Sequence, residues 1–309
     1  MERSGRSGKL EPPLIVSLGD LMTDVVAITE EPTADGSDTR SLVRVEDGGA
    51  AANTAAWLAA TGHRTAYVGR VGDDLLGRAA LPRLAHDGVV VRAAVDATAP
   101  TGTCVVVVAR DGTRSMYPDA GANAHLSVDD VPLDLVTGAA PLHLHVSGYA
   151  LLNHDARPAA LAAMAAARRS GHSVSVDPAS AGPIASVGTA VVLGWLAGTD
   201  LVLANQDEAC LLTGAADPTT AGAGLAAELG VEVVVKLGPA GAAWFRRGAE
   251  PVRVPPEPAV VVDTTGAGDA FAAGFLPTWL AGGDPADALR AGCRLAARVV
   301  ARVGARPPG

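Results

Sequence analysis

Lysine is nearly missing from this chain of 309 residues: only Lys9 and Lys236 occur, while arginine is plentiful, so the basic side chains follow composition and their number says little about function. Aromatic residues make up 3%, which leaves few rings for base-stacking pockets. Cys104, Cys210 and Cys293 are far apart, odd in number and free of any CxxC spacing. That argues against a disulfide framework and a zinc site and leaves them as packing residues. No uninterrupted apolar stretch reaches the roughly 18 residues of a membrane-spanning helix. Residues 1–9 are charged with no apolar h-region behind them, so 1–10 reads as a frayed tail and not as a secretory signal. A net charge of −9 disfavours a nucleic-acid partner, whose phosphates ask for lysine and arginine. Also missing are the GxxxxGK[ST] loop of P-loop nucleotide binders and the GxGxxG of dinucleotide-binding oxidoreductases. After the first strand, Gly19-Asp20-Leu21-Met22 stands instead. The expectation is a soluble, cytoplasmic protein with neither nucleic acid nor membrane as partner.

What is present suffices for one large α/β domain over 1–309, since 49% of the residues are hydrophobic. Leu14-Ile15-Val16-Ser17-Leu18 is a short apolar run ending in Gly19-Asp20, the pattern of a buried strand running into a turn. Strand-like runs at 142–147, 173–177, 200–204 and 232–237 alternate with Ala-rich helical stretches at 156–170, 207–213 and 221–229. Such alternation predicts βα units and a mostly parallel sheet covered by helices. Residues 50–61 read as a helix closed by Gly62, with a strand starting at Tyr67.

Two segments break the pattern. About 24–47 holds thin strands at 24–28 and 42–45, and about 101–120 reads as a hairpin of 103–109 and 114–117 around Asp111-Gly112. Together they predict a small β-sheet lid. Its strand 104–108 is apolar on both faces, so a second lid is expected to cover one of them, giving a homodimer. His143 and His145 share a face of their strand; without a matching carboxylate signal they read as packing residues, as do Trp195 and Trp244.

The chemistry concentrates at 261–274. Val261-Val262 reads as a strand end, Gly266-Ala267-Gly268 as a turn and Asp269 as the first turn of a helix. Glycines let backbone N–H groups approach an anion, and a helix N-terminus adds unpaired donors and positive partial charge. Asp269 is then placed to accept a proton from a hydroxyl beside that anion hole. With an ordinary pKa of about 3.9, a carboxylate takes such a proton only as the new O–P bond forms. Alone, Gly-Ala-Gly-Asp would be a tight turn with Asp at a helix start.

The longer string Asp263-Thr264-Thr265-Gly266-Ala267-Gly268-Asp269-Ala270-Phe271 resembles the C-terminal signature of ribokinase-like, phosphofructokinase-B-type carbohydrate kinases. The likeness runs over nearly the whole chain, through Gly19-Asp20, Gly48-Gly49-Ala50-Ala51-Ala52-Asn53, Gly69-Arg70-Val71-Gly72-Asp73-Asp74, Gly77 and Gly304-Ala305. The resemblance implies a ribokinase-like three-layer α/β fold and transfer of the ATP γ-phosphoryl group to a hydroxyl of a sugar or sugar-like substrate. It implies Asp269 as catalytic base and Gly266, Ala267 and Gly268 as anion hole. Asp24, Gly48, Gly49 and Asn53 fall on its substrate-binding positions, and their chemistry suits a polyol; read alone they would be an Asx turn and a glycine turn before a helix.

Asn205 and Glu208 match an Asn-x-x-Glu implied to organise Mg²⁺ and phosphate through water, although Asn205 alone would serve as a helix N-cap. Lys236, Gly238 and Gly241 correspond to a loop touching the ATP phosphates, with Lys236 where many relatives carry Thr. A potassium-type loop is also implied, in which Asp263 and Thr265 join carbonyls near Val299, Arg302 and Gly304; Pro308 where ribokinases carry Ser counts against it. Ribokinases carry Gly-Gly-Lys-Gly where this chain has Gly48-Gly49-Ala50-Ala51, so ribose is not assured, and the lack of a basic residue speaks against a phosphorylated sugar. A neutral sugar, a sugar acid or a nucleoside remains, the last with Tyr117, Tyr149 and lid valines around the base. A catalytically silent ATP- or sugar-binding sensor would have lost Asp269 or the glycines, and both are intact.

Overall fold

The computed structural model describes residues 12–110 and 114–308; the tail expected over 1–10 and the Asp111-Gly112 turn lie outside the described residues. Among the described residues, nine strands form one sheet in the spatial order Val252–Val254, Ala242–Phe245, Glu232–Lys236, Leu201–Asn205, Ser173–Asp177, Leu142–Ser147, Leu14–Leu18, Thr65–Gly72 and Val90–Asp96. From Glu232–Lys236 to Val90–Asp96 all neighbours run parallel, and the two strands beyond Glu232–Lys236 add antiparallel.

The central strands are apolar on both faces because both are covered. Val16, Leu18, Leu144, Val146, Val202 and Ala204 join one core layer, while Ile15, Leu201, Leu203 and Val234 join the other. This period-2 sorting of continuous apolar runs is the signature of a parallel sheet between helices. Alanine then sets how closely the helices pack: Ala50–Ala60 and Ala267–Leu280 touch each other, with Ala52, Ala55, Ala56, Ala270, Ala272 and Ala273 fully buried.

The strand order places the chemistry. Leu14–Leu18 sits mid-sheet with Thr65–Gly72 on one side and Leu142–Ser147 on the other, so the connections leave in opposite directions there. A crevice opens at the carboxyl ends of such strands. Asp177, Asn205 and Lys236 each end a strand of the sheet, Ser147 ends another, and Asp20 follows the first.

The two pattern-breaking segments form a separate four-stranded sheet, in the order Ser41–Gly48, Met22–Thr29, Thr103–Val108, Arg114–Asp119. One expectation fails. Residues 261–262 are not a strand; Val260, Val261 and Val262 are exposed, and the segment is tied to the helix Pro285–Val300 by N–H bonds from Val262 and Asp263 to the Val300 carbonyl. Pro255, Pro256 and Pro258 just upstream lack the donors a ladder needs.

Phe275 is fully buried and stacks on Phe271, 6.1 Å between ring centroids, on the buried face of the helix that carries Asp269. Phe275→Ala is expected to cost about 3–5 kcal/mol of stability, read as a lowered urea midpoint at unchanged slope.

Candidate active site

Asp269 lies in the first turn of the helix Ala267–Leu280, whose cap, Gly266, is in the left-handed region (φ 74°) and offers no side-chain cap. The first-turn N–H groups therefore have no side chain of their own to satisfy them. The Asp269 Oδ2 accepts from Asn53 Nδ2 at 2.9 Å. Burial is the main cause that pushes the Asp269 carboxyl up to about 7; Asp177 and Asp20 add to it, while the Asn53 bond and Lys236 oppose it. The expected base and one expected substrate residue are thus in direct contact.

Lys236 is not a surface lysine. Its ammonium bonds Asp177 Oδ2 at 2.5 Å, and both side chains are 14% exposed. It also lies against Gly268, where an added Cβ would stand 3.3 Å from Nζ. Desolvation works against the ammonium, but Asp177 and Glu208 outweigh it and the Lys236 pKa is raised, so it stays charged. A fixed positive charge therefore borders the Gly-rich helix start.

Asp24 and the glycines form a second contact. The Asp24 carboxylate presses on Gly48 so closely that a Cβ there would lie 2.5 Å from Oδ2. Gly49 has φ 91°, and a Cβ would meet the Asp20 carbonyl at 2.6 Å, so only glycine fits. Asp20 anchors this turn: Oδ2 accepts from the Ala50 N–H at 2.9 Å and Oδ1 from Ser147 Oγ at 2.8 Å. Burial first, and then Asp20, pushes Asp24 up to about 6.

Asn205 and Glu208 form a capping box at the helix Gln206–Thr213. The Glu208 N–H bonds Asn205 Oδ1 at 2.9 Å, and both Glu208 oxygens accept from Asn205, from its N–H at 2.8 Å and from its side-chain amide. Burial pushes Glu208 up to about 7. With both oxygens engaged, this pair suits a cation held through water better than one held directly. Gly238 and Gly241 frame the short turn after Lys236.

The 263–265 loop is engaged from three sides. Asp263 Oδ1 accepts from the Thr265 N–H at 2.8 Å and Oδ2 from the Gly304 N–H at 3.1 Å. Arg114, from the small sheet, adds a guanidinium 2.8 Å from Asp263 Oδ1 and donates to Thr265 Oγ1 at 2.7 Å. The Val299 carbonyl accepts the Arg302 N–H. The space left between the small sheet and the 263–265 and 304–305 segments, beside Asp24, Val106, Arg114 and Asp263, is about 20 Å³.

Three residues stand here that the sequence did not single out. Asp177 has a weak signal, an acid at a strand end before proline. Arg114 and Arg306 have none, because their partners lie far along the chain. Tyr117 departs from its expected place: it pairs with Val105 on the outer side of the small sheet and is 63% exposed, so it does not line the cleft. Tyr149 does flank the cleft, close enough to Asp20 and Asp269 to feel their charge. His143 and His145 are buried and bonded to Ser173 and Ser175, with burial lowering them to about 3 and about 4, which fits packing.

Comparison with known proteins bears on this geometry. Residues 12–308 match the pfkB family carbohydrate kinase. An uncharacterized sugar kinase of Archaeoglobus fulgidus is 35% identical over 254 residues, 81% of this chain and 96% of that protein. The adenosine kinase of Sinorhizobium meliloti superposes with a TM-score of 0.85 at 28% identity, over 96% of each chain. Ribokinase of Arabidopsis thaliana, solved with ribose and ATP, gives 0.77 at 30% identity, over 96% of this chain and 95% of that one.

The raised Asp269 has a stability consequence. Its folded pKa of about 7 exceeds the ordinary 3.8, so the native state holds the extra proton and stability falls as pH rises between those values. Asp269→Asn is therefore expected to stabilise the protein by up to about 4 kcal/mol near pH 8, and by little below about pH 4. Urea titrations at both pH values check it.

Proposed function

The chain belongs to the pfkB family of carbohydrate kinases, and from that premise we propose how its residues carry out ATP-dependent phosphoryl transfer to an alcohol. The observation that carries the reading is the pairing of Asp269, held by Asn53, with Lys236, held by Asp177, on either side of the uncapped helix start. The acceptor hydroxyl gives its proton to Asp269 as its oxygen bonds the γ-phosphorus; the bond to the bridging oxygen breaks and ADP leaves with those electrons. N–H groups of the Gly266 turn and the Lys236 ammonium face the charge on the transferring group. Mg²⁺, reached from Glu208 through water, would supply further charge neutralisation on the phosphates.

Asp24, Gly48, Gly49 and Asn53 hold the acceptor's hydroxyls, and the small sheet, built by about 24–47 and 101–120, closes over them as a lid of this single kinase domain. Arg114 across to Asp263 and Thr265 supports a clamp at the closed position. The acceptor we favour is a neutral sugar or sugar acid. Tyr117 faces outward, which removes one of two rings a nucleobase would use, although the likeness to an adenosine kinase keeps nucleosides in the test. The potassium expectation is not carried forward, because the Arg114 guanidinium and two N–H groups already serve the Asp263 oxygens.

The lid's outer face supports a homodimer. Val43, Val45, Val105 and Tyr117 lie on it and are 57, 63, 41 and 63% exposed, an apolar patch that a second copy's lid would cover. No helix among the described residues is long and apolar enough to cross a membrane, and a cytoplasmic site of action is part of the proposal.

ADP release with Mg-ATP across sugars, sugar acids and nucleosides is expected to find one strong acceptor among the first two classes. Asp269→Asn should lower that rate by about 10²–10⁴-fold. ATP binding with no acceptor turned over would favour a sensor, and no ATP binding would end the kinase reading. Val105→Glu is expected to give a monomer in sedimentation velocity; an unchanged dimer would place the interface elsewhere.

A further inference from the structure

Arg306 has no role in the reaction as described, yet it is 7% exposed and lies directly behind the substrate-side residues. Its Nε donates to Asn53 Oδ1 at 3.3 Å and its Nη2 to the Gly48 carbonyl at 3.0 Å. Nη1 is buried without a hydrogen-bond partner, 3.9 Å from Asp47 Oδ2. The backbone beside it is fixed, since Trp57 Nε1 donates to the Ala305 carbonyl at 2.7 Å and Ala305 packs on Gly266 at the start of the Asp269 helix.

Asn53 therefore sits between two groups of opposite hydrogen-bonding character. A guanidinium has only donors, so it meets the amide oxygen; an ionised carboxylate has only acceptors, so it meets the amide nitrogen. Only one of the two amide orientations satisfies both neighbours.

We propose that Arg306 is a positioning residue for the catalytic base: it locks the Asn53 amide so that its N–H side alone faces Asp269, which keeps the base in its proton-accepting form. The proposal rests on Asp269 being that base. With Arg306 in place, a neutral Asp269 finds no acceptor on Asn53, and the ionised form keeps its donor. Without Arg306 the amide is free to turn, and its oxygen then accepts the proton of a neutral Asp269. The neutral form gains a hydrogen bond and the charged form loses one, so the base protonates at higher pH.

The test is the pH profile of kcat/KM for the best acceptor, whose acid limb reports the base in the free enzyme. Arg306→Gln keeps a planar polar group but brings an acceptor and loses the donor-only character. It is expected to move the acid limb upward by about one pH unit, about a tenfold loss of kcat/KM on the acid side that is largely recovered in alkaline buffer. Arg306→Lys, still donor-only, should hold the limb near its original place. Asn53→Ala should shift the limb upward too, and Arg306→Gln added to it should shift it no further. If Arg306→Gln lowers the melting temperature or raises KM while the limb stays put, or if the lysine and glutamine variants shift alike, Arg306 is only structural. Failure of the underlying reading looks different: Asp269→Asn would then turn over like the wild type.

Discussion

Desolvation of carboxylates is the constraint on which this cleft depends. Asp20, Asp24, Asp177, Glu208 and Asp269 converge where the parallel strands end, and burial is the main cause raising the pKa of Asp24, Glu208 and Asp269. Two cations sit among them, Lys236 bonded to Asp177 and Arg306 bonded to Asn53. The arrangement costs stability, as charged groups removed from water do. A core apolar on both sheet faces offsets it, and on the proposed reading the gain is an Asp269 carboxyl raised toward neutrality, where a general base is most useful. The single lysine among the described residues stands beside Gly268 at the start of the Asp269 helix, where the proposed reaction asks for positive charge.

The small sheet shows the same economy of pattern. Alternation along its strands sends Asp24, Val26, Val106 and Arg114 toward the cleft and Val45, Val105 and Tyr117 away from it. One face thus turns toward the cleft and the other presents an apolar surface, so a strand apolar on both faces is explained without a thicker core. The same alternation is why Tyr117 turns away from the cleft while its neighbour in sequence, Met116, lies on the opposite face.

Much of this was legible in the sequence because it is local. The runs at 142–147, 173–177 and 232–237 became Leu142–Ser147, Ser173–Asp177 and Glu232–Lys236, since apolar runs bounded by turns carry their own signal. The Gly266 turn and Asp269 were equally readable as a contiguous motif. What escaped was either long-range or masked by a competing rule. Arg306 meets Asn53 across 253 positions and Arg114 meets Thr265 across 151, spacings that no periodicity encodes. Val261-Val262 looked like a strand by composition, but upstream prolines remove ladder donors, and a backbone bond to Val300 holds the segment instead. The N-cap alternative read for Asn205 is present in the structure, and the Glu208 side chain, read only toward the cofactor, completes a capping box there.

The most direct test of the account is the ionisation of Asp269 itself, followed by carbon-13 NMR of the aspartate carboxyl groups through a pH titration, with the signal assigned by its loss in Asp269→Asn. The account predicts a midpoint near 7, far above the ordinary 3.8, as burial beside Asp177 and Asp20 requires. A midpoint near 4 would mean that the carboxylate is solvated like a surface group, and the picture of a desolvated base between Asn53 and Lys236 would be wrong.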